Sequence, residues 1–296
     1  ATGGAAILSN GSGALVFTAT TFNNAVAVGA AGGGMARVLT LGGSNSSANT
    51  IQGAIINNTG AGTSGTNAVA LMKRDAGVWI LAGASTYSGG TTVSGGTLIV
   101  NNASGSATGT GSVILGSGAS LGGSGTAGSL TPGTTITQQS GAVIFAGQNG
   151  VHDAQTLTLQ AAAGFTLSGS IELDLIGGGA SGLLNAQSSS NDLLVFSGGT
   201  VTLSGATLSI RSALPLADGA WVQGSSWNLI DWSSVSGTFD TVTGLPDLST
   251  LGLAWDWSRL YSNGTLSVIA VPEPSRALLA LSGLSWLLLR RRRSLA

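Results

Sequence analysis

The chain has no cysteine, 5 prolines, one histidine and only 7% charged residues in 296 positions. Zero cysteines exclude disulfides and thiolate metal sites, although they do not identify a compartment. Cationic side chains are scarce before Pro272. Arg37, Lys73, Arg74, Arg211 and Arg259 stand there against ten acids, so this body carries about five negative charges although the whole chain is at −1. Nucleic acid is therefore not an expected partner, because neutralising phosphates needs clustered Lys and Arg on a folded surface. The chain opens at Ala1 with neither Met nor a basic-then-apolar leader, and reads as a fragment or processed form.

Glycine and apolar residues are abundant. With 49 Gly and no collagen period, the choice lies between low-complexity disorder and a turn-rich β repeat. Disordered chains lack residues to bury, whereas 43% of this one is hydrophobic, which selects a folded protein. Its length holds one large domain or two smaller ones.

Apolar runs such as Ala14–Phe17, Val38–Leu41 and Ile51–Ile56 are short and bounded by Asn, Ser and Gly, so they read as strands. They also recur. The stretch Tyr87–Val100 (YSGGTTVSGGTLIV) returns with one extra residue as Phe196–Ile210 (FSGGTVTLSGATLSI), and Ser-Gly-Ala precedes an apolar run at Ser12, Ser117, Ser140 and Ser204. Glycine at such corners accepts positive φ, and a small neighbour keeps the bend narrow. Val93, Val113 and Ile136 occupy comparable strand positions at a period near twenty residues, which suits an all-β, right-handed parallel β-helix. In the strand containing Leu98, Ile99 and Val100, the outer two point one way and Ile99 the other. Asn101-Asn102 is placed to cap that strand. A two-sheet sandwich built from the same strands is the alternative, although Asn-Gly hairpin signals are few.

The run from Arg74 to Leu130 resembles the autotransporter-associated β-strand repeat. Lys73 matches its lead-in, Trp79 and Leu81 its Trp-x-Leu strand, and Tyr87, Gly89, Gly90 and Thr91 its corner. Gly96, Thr97, Leu98 and Asn101 match its second strand. The resemblance implies a β-helical surface scaffold and no catalytic residues. Residues 1–212 are thus expected to form the solenoid, with the clearest repeat at 74–130. Residues 213–270 hold five of the seven Trp, namely Trp221, Trp227, Trp232, Trp255 and Trp257, and are expected to cap the open end of the coil. Trp255 and Trp257 share a strand face and offer an alternative use, stacking on carbohydrate.

Residues 271–296 are the second informative stretch. Val271, Pro272, Glu273, Pro274 and Ser275 are followed by Arg276, an uncharged run from Ala277 to Leu289, and the cluster Arg290, Arg291, Arg292 and Arg293. As a helix that run spans ~20 Å, short of a ~30 Å hydrocarbon core. Snorkelling Arg side chains close part of the gap, and the cluster holds the end on the cytoplasmic side. Pro272 and Pro274 keep the preceding segment extended, a form that a processing enzyme grips. The arrangement is similar to the PEP-CTERM sorting signal of Gram-negative bacteria. That resemblance implies a short C-terminal transmembrane helix, recognition by an exosortase-type membrane enzyme and removal of the tail. The body would pass the inner membrane transiently and reach the cell surface or an exopolysaccharide matrix; an uncut tail anchor is the alternative.

Chemical motifs are weak. Gly118–Gly122 fits G-x-S-x-G around Ser120, but no acid lies between Ser120 and His152 and no helix is expected after it. Gly60–Gly65 and Gly123–Gly128 fit G-x-G-x-x-G without a βαβ setting and read as corners. His152-Asp153 reads as a polar loop. Glu172 and Asp174 share one strand face, where paired carboxylates serve glycoside hydrolysis or Ca²⁺ binding, yet no basic residue is near them in sequence and a solvated outer face accounts for them. The expectation is a non-catalytic exported structural protein without cofactor or metal. A carbohydrate-binding adhesin is the alternative, and a polysaccharide lyase or hydrolase the third reading.

Overall fold

The computed structural model describes residues 4–23, 37–57, 68–148, 153–176, 191–212 and 221–271. Each apolar run supplies two or three inward side chains and serves as one side of a coil. The first sheet has nine strands, in chain order Gly4–Leu8, Arg37–Gly42, Val69–Lys73, Thr91–Val93, Val113–Leu115, Thr135–Gln138, Gly164–Leu167, Val201–Leu203 and Val235–Ser236. The second takes Val16–Phe17, Asn49–Ile51, Val78–Leu81, Gly96–Val100, Ala119–Gly123, Val143–Phe145, Ser170–Leu175, Thr207–Ser212 and Thr241–Thr243. A third side is built by Thr21–Asn23 with Ala54–Ile56 near the start, and by Thr126–Ser129, Thr156–Ala161, Leu193–Gly198 and Ile230–Asp231 further along. Neighbours within these sheets run parallel, and the chain visits the sides in rotation. This is the path of a parallel β-helix. It removes the sandwich alternative, which would need antiparallel hairpin neighbours.

The two related stretches play the same part. Thr91–Val93 and Val201–Leu203 lie in the first sheet, and Gly96–Val100 and Thr207–Ser212 in the second. All four Ser-Gly-Ala sites feed the second sheet. At three of them, Gly118, Gly141 and Gly205, φ is 76°, 80° and 76°, a region that only glycine enters cheaply. The expected period needs one correction of register. Val113 lies opposite Ile136 as expected, but opposite Thr91 rather than Val93. A slip of two residues keeps inward side chains inward; a slip of one would turn Leu115 out to solvent.

Inward positions align into columns along the coil axis. One column of the first sheet reads Leu39, Leu71, Thr91, Val113, Ile136, Phe165 and Val201, all buried. The next reads Leu41, Lys73, Val93, Leu115, Gln138, Leu167 and Leu203. In the second sheet Trp79, Leu98, Leu121, Ile144, Ile171 and Leu208 line up likewise. Polar members of the core are bonded inside it. Thr91 shares a 2.6 Å hydrogen bond with the Tyr87 hydroxyl, and Gln138 Nε2 donates to the carbonyls of Ala142 and Ser170.

Residues 221–271 both extend and cover the coil. Ile230–Asp231, Val235–Ser236 and Thr241–Thr243 add the last parallel strands to the three sides. Ser226–Asn228, Thr265–Ala270 and Leu253–Asp256 form a separate antiparallel sheet in that spatial order. The helical turn Leu260–Asn263 ends at Gly264, whose carbonyl accepts from Leu229 N. Trp232 Nε1 donates to Leu260 O at 2.7 Å, and Phe239 N donates to the Tyr261 hydroxyl. A run of aromatic contacts, Phe165–Phe196–Trp232–Phe239–Tyr261, carries the core into this layer. Among the described residues no helix is long and apolar enough to cross a membrane. The apolar run 277–289, with its expected transmembrane helix, lies outside the described residues.

The alternation has a direct test in adjacent residues. Leu115 is fully buried and Ile114, one position earlier, is 42% exposed. Leu115→Ala should cost about 2–5 kcal/mol by urea denaturation and Ile114→Ala about 0.5 kcal/mol or less. Equal losses would contradict the inward and outward assignment.

Candidate functional site

Three places deserve a chemical reading: the repeat-like section, an acidic corner and the outer strand faces. In the repeat-like section the signature side chains turn inward. Lys73 sits in a column that is otherwise mostly aliphatic, and its ammonium donates to the carbonyls of Arg74, Asp75 and Gly95, each at 2.8 Å. Burial lowers its pKa to about 8, although the nearby Asp75 carboxylate pulls the other way. Trp79 is fully buried and donates Nε1–H to Gly42 O on the preceding turn. Tyr87 is fully buried, and desolvation raises its pKa despite the hydrogen bond with Thr91. Asn101 and Asn102 act as expected at the strand end. Asn101 Oδ1 accepts from Ser124 N and Asn102 Oδ1 from Thr126 N, while Asn102 Nδ2 donates to the carbonyls of Ser104 and Gly105. Every one of these groups is engaged with backbone or a core partner.

The acidic corner differs from the expected solvated face. Glu172 and Asp174 do lie on the outward side of Ser170–Leu175, but Asp174 is 1% exposed. Register places Arg211 of the next turn directly opposite Asp174. Arg211 Nε donates to Asp174 Oδ1 at 2.7 Å, and its Nη1 is 3.7 Å from Glu172 Oε2. The basic neighbour missing from the local sequence is thus supplied by stacking, and both carboxylates hold it. Asp192 completes the corner. It is fully buried, accepts from Gln155 N and Asp174 N, and donates its own N–H to Asp174 O. Asn191 Nδ2 donates to Asn228 O on the following turn. Desolvation pushes Asp192 up to about 7, opposed by its two backbone donors and reinforced by the charges of Asp174 and Asp153. These contacts clip together the two ends of the connection between the second and third sheets. Nothing in the local sequence marks Arg211, Asp192 or Asn191, because their roles depend on register between turns.

Other expected sites fall as follows. Ser120 lies within the strand Ala119–Gly123 and no helix follows, so G-x-S-x-G is not an elbow here. Gly123–Gly128 spans the corner between two strands, while Gly60–Gly65 and His152 lie outside the described residues. Among the described residues no group of acids or His is arranged to hold a metal. Trp255 packs against Trp221 and Trp227, with ring centroids 5.3 and 5.8 Å away, and its indole N–H donates to Pro246 O. Trp257 follows that strand and is half-buried against the same core. Val271 donates its N–H to Gly252 O at the margin of the antiparallel sheet. Pro272, Glu273, Pro274, Ser275 and Arg290, Arg291, Arg292 and Arg293 lie outside the described residues.

The outer face of the first sheet is open, while that of the second is partly covered by Phe145, with Ile99 5% exposed. Val78, Ile80, Thr97 and Ile99, with Ser46, Ala48 and Gln148, line a groove of about 390 Å³ on the second sheet. On the first sheet the outward row opposite the core reads Thr92, Ile114, Thr137, Thr166, Thr202 and Ser236. Parallel strands place successive members of such a row about 4.8 Å apart. No ionisable side chain interrupts it.

Asp192 gives the corner a pH signature. A buried carboxyl with its pKa raised from the ordinary 3.8 to about 7 binds a proton in the folded state that the unfolded chain has released. Its contribution is therefore greatest below pH 4, falls as pH rises towards 7 and is flat above that. Asp192→Asn should remove a decline of about 2–4 kcal/mol between pH 4.5 and 7.5 from the stability profile. Parallel profiles of the two proteins would show that Asp192 is not responsible.

Among known families, residues 71–100 match the model of the passenger-associated-transport-repeat. The match covers the strands that hold Lys73, Trp79 and Leu98 and the connection that holds Tyr87, all of them buried residues. A comparison with curated proteins finds no match. Over these thirty residues the chain is similar to a repeat of exported passenger proteins, and the similarity falls on the turns of the coil.

Proposed function

We propose that the chain is a non-catalytic, exported structural protein of the cell surface or extracellular matrix, delivered by its C-terminal segment. The observation that carries this reading is the inward placement of the repeat signature. Lys73 and Trp79 donate to carbonyls one turn away, Tyr87 is buried with its hydroxyl on Thr91, and none of the three presents a reactive group to solvent. A coil that satisfies its peptide groups turn upon turn needs no disulfide to persist outside the cell. The pairing of Arg211 with both Glu172 and Asp174 supports the non-catalytic reading, since neither a free base nor a free acid pair is offered there.

Sorting would use Val271 to Ser275. Val271 N–H donates to Gly252 O, and the prolines that follow it in sequence favour extended backbone, the form that an exosortase-type enzyme would grip. The apolar run and Arg290–Arg293 would hold the tail in the inner membrane until cleavage. Polysaccharide contact would run along the uncharged Thr row of the first sheet. Hydroxyls there donate and accept without the desolvation cost of charges. This surface is preferred over Trp255 and Trp257, because Trp255 already spends its ring and its N–H on the protein.

Mass spectrometry of the extracellular fraction should find a mature C-terminus near Pro272–Ser275; recovery of an intact Arg cluster would remove the sorting claim. For the face, affinity electrophoresis in gels containing neutral or acidic polysaccharide should show retardation that Thr137→Val with Thr166→Val, which removes the hydroxyls without changing charge, abolishes. Unchanged mobility of the variant would reject the Thr row, and turnover of either glycan would replace the reading with a lyase or hydrolase.

A further inference from the structure

Many hydroxyls of this coil are spent on the protein itself. Thr91 bonds to Tyr87, Thr134 donates to Ser129 O, and Thr200 accepts from Ser234. One file is different. Thr92, Ile114, Thr137, Thr166, Thr202 and Ser236 follow one another across the outer face of the first sheet in unbroken register. The five hydroxyls in it make no hydrogen bond among the described residues. Thr166, Thr202 and Ser236 are exposed, and Thr92 and Thr137 half-buried. From Val113–Leu115 to Val235–Ser236, every residue that leads into this sheet from the preceding strand, or out of it to the next, is described. The face is thus bounded on both flanks by known corners.

Charge decides which glycan suits the file. Arg37 and Lys73 are buried, Arg74 stands on an earlier turn 3.6 Å from Asp75, and Arg211 is held by Glu172 and Asp174. Arg259 lies in the antiparallel layer, ahead of the helical turn Leu260–Asn263. A polyanion finds no cation on the file, and the surplus of acids in the body repels it. A neutral sugar needs none. Its hydroxyls donate and accept as those of Thr and Ser do, while the Thr methyl groups meet its C–H edges.

Spacing decides the shape. The ladder sets successive members about 4.8 Å apart, so the file runs for about 24 Å along the coil axis. A glycan whose sugars advance as an extended ribbon stays over it throughout, whereas a coiled or branched chain leaves the surface after the first contacts. Many equivalent weak contacts then replace one pocket, and affinity grows with the length in register. We propose that the file from Thr92 to Ser236 binds neutral, unbranched, extended polysaccharide laid along the coil axis and excludes polyanionic chains, which rests on the polysaccharide reading of this face. Ile114, 42% exposed, is its one gap.

The test runs the full chain in gels containing a linear β-glucan, branched dextran or alginate. The β-glucan should retard it and the other two should not. Ile114→Thr closes the gap and should raise the apparent affinity for β-glucan about five-fold, while Thr166→Val lowers it by a similar factor. Retardation by alginate that Thr137→Val with Thr166→Val abolishes would keep the face and overturn the neutral class. Equal retardation by dextran would overturn the extended form. Unchanged affinity of Ile114→Thr, at an unchanged thermal midpoint, would overturn the placement along the file. No retardation in any gel removes the polysaccharide reading and this proposal together. Should Ile114→Thr fail to fold, β-glucan oligosaccharides decide: affinity should rise with length until the file is spanned, and a plateau at the disaccharide would overturn the placement.

Discussion

The ladder of parallel hydrogen bonds between successive turns is the constraint on which everything else in this molecule rests. A short strand of three residues is unstable alone; it is held because the turn below and the turn above satisfy its peptide groups. Once that ladder exists, inward side chains fall into columns, and an apolar residue is covered by the residue one turn away. Val113 is buried by Thr91 and Ile136 rather than by anything near it in sequence. Glycine corners matter because each turn must bend at the same place for the ladder to stay in register.

A purely aliphatic column would tolerate sliding by two residues, since inward positions would remain inward. Buried polar groups remove that freedom. Of the three carbonyl acceptors of Lys73, that of Gly95 lies on the next turn and meets the ammonium in one register only, and Asn49 bonds at once to Ser9, Leu15 and Val78 on the turns before and after it. Such networks are costly when half-satisfied, so they penalise a slipped alignment more than they add to the correct one. The Asp174–Arg211 pair and Asp192 act in the same way at another corner. Polar residues that resemble chemistry in a list of residues thus serve as alignment devices in the folded coil.

The covering of the last described turns follows from the same physics. A stack of turns ends by exposing its core and its peptide edge unless something lies across it. Over the last described turns the antiparallel sheet, the helical turn and their aromatic side chains do this. The Trp-rich composition is therefore accounted for by closure, with the indole N–H groups of Trp232 and Trp255 bonded to carbonyls of the same layer.

Much of the architecture was legible in the chain itself. Short apolar runs, recurring Ser-Gly-Ala corners and the twin stretches near residues 90 and 200 specified strands, bends and stacking, because period-two alternation and glycine's access to positive φ are local properties. Asn101 and Asn102 were legible for the same reason. The alignment of one turn upon another was not, and with it went the opposition of Val113 to Thr91, the burial of Asp174 beneath Arg211 and the raised pKa of Asp192. Those depend on which residues meet across a gap of twenty to forty positions. Only the assembled ladder, with Lys73, Asn49 and Asp174 bonded across turns in one register, decided that.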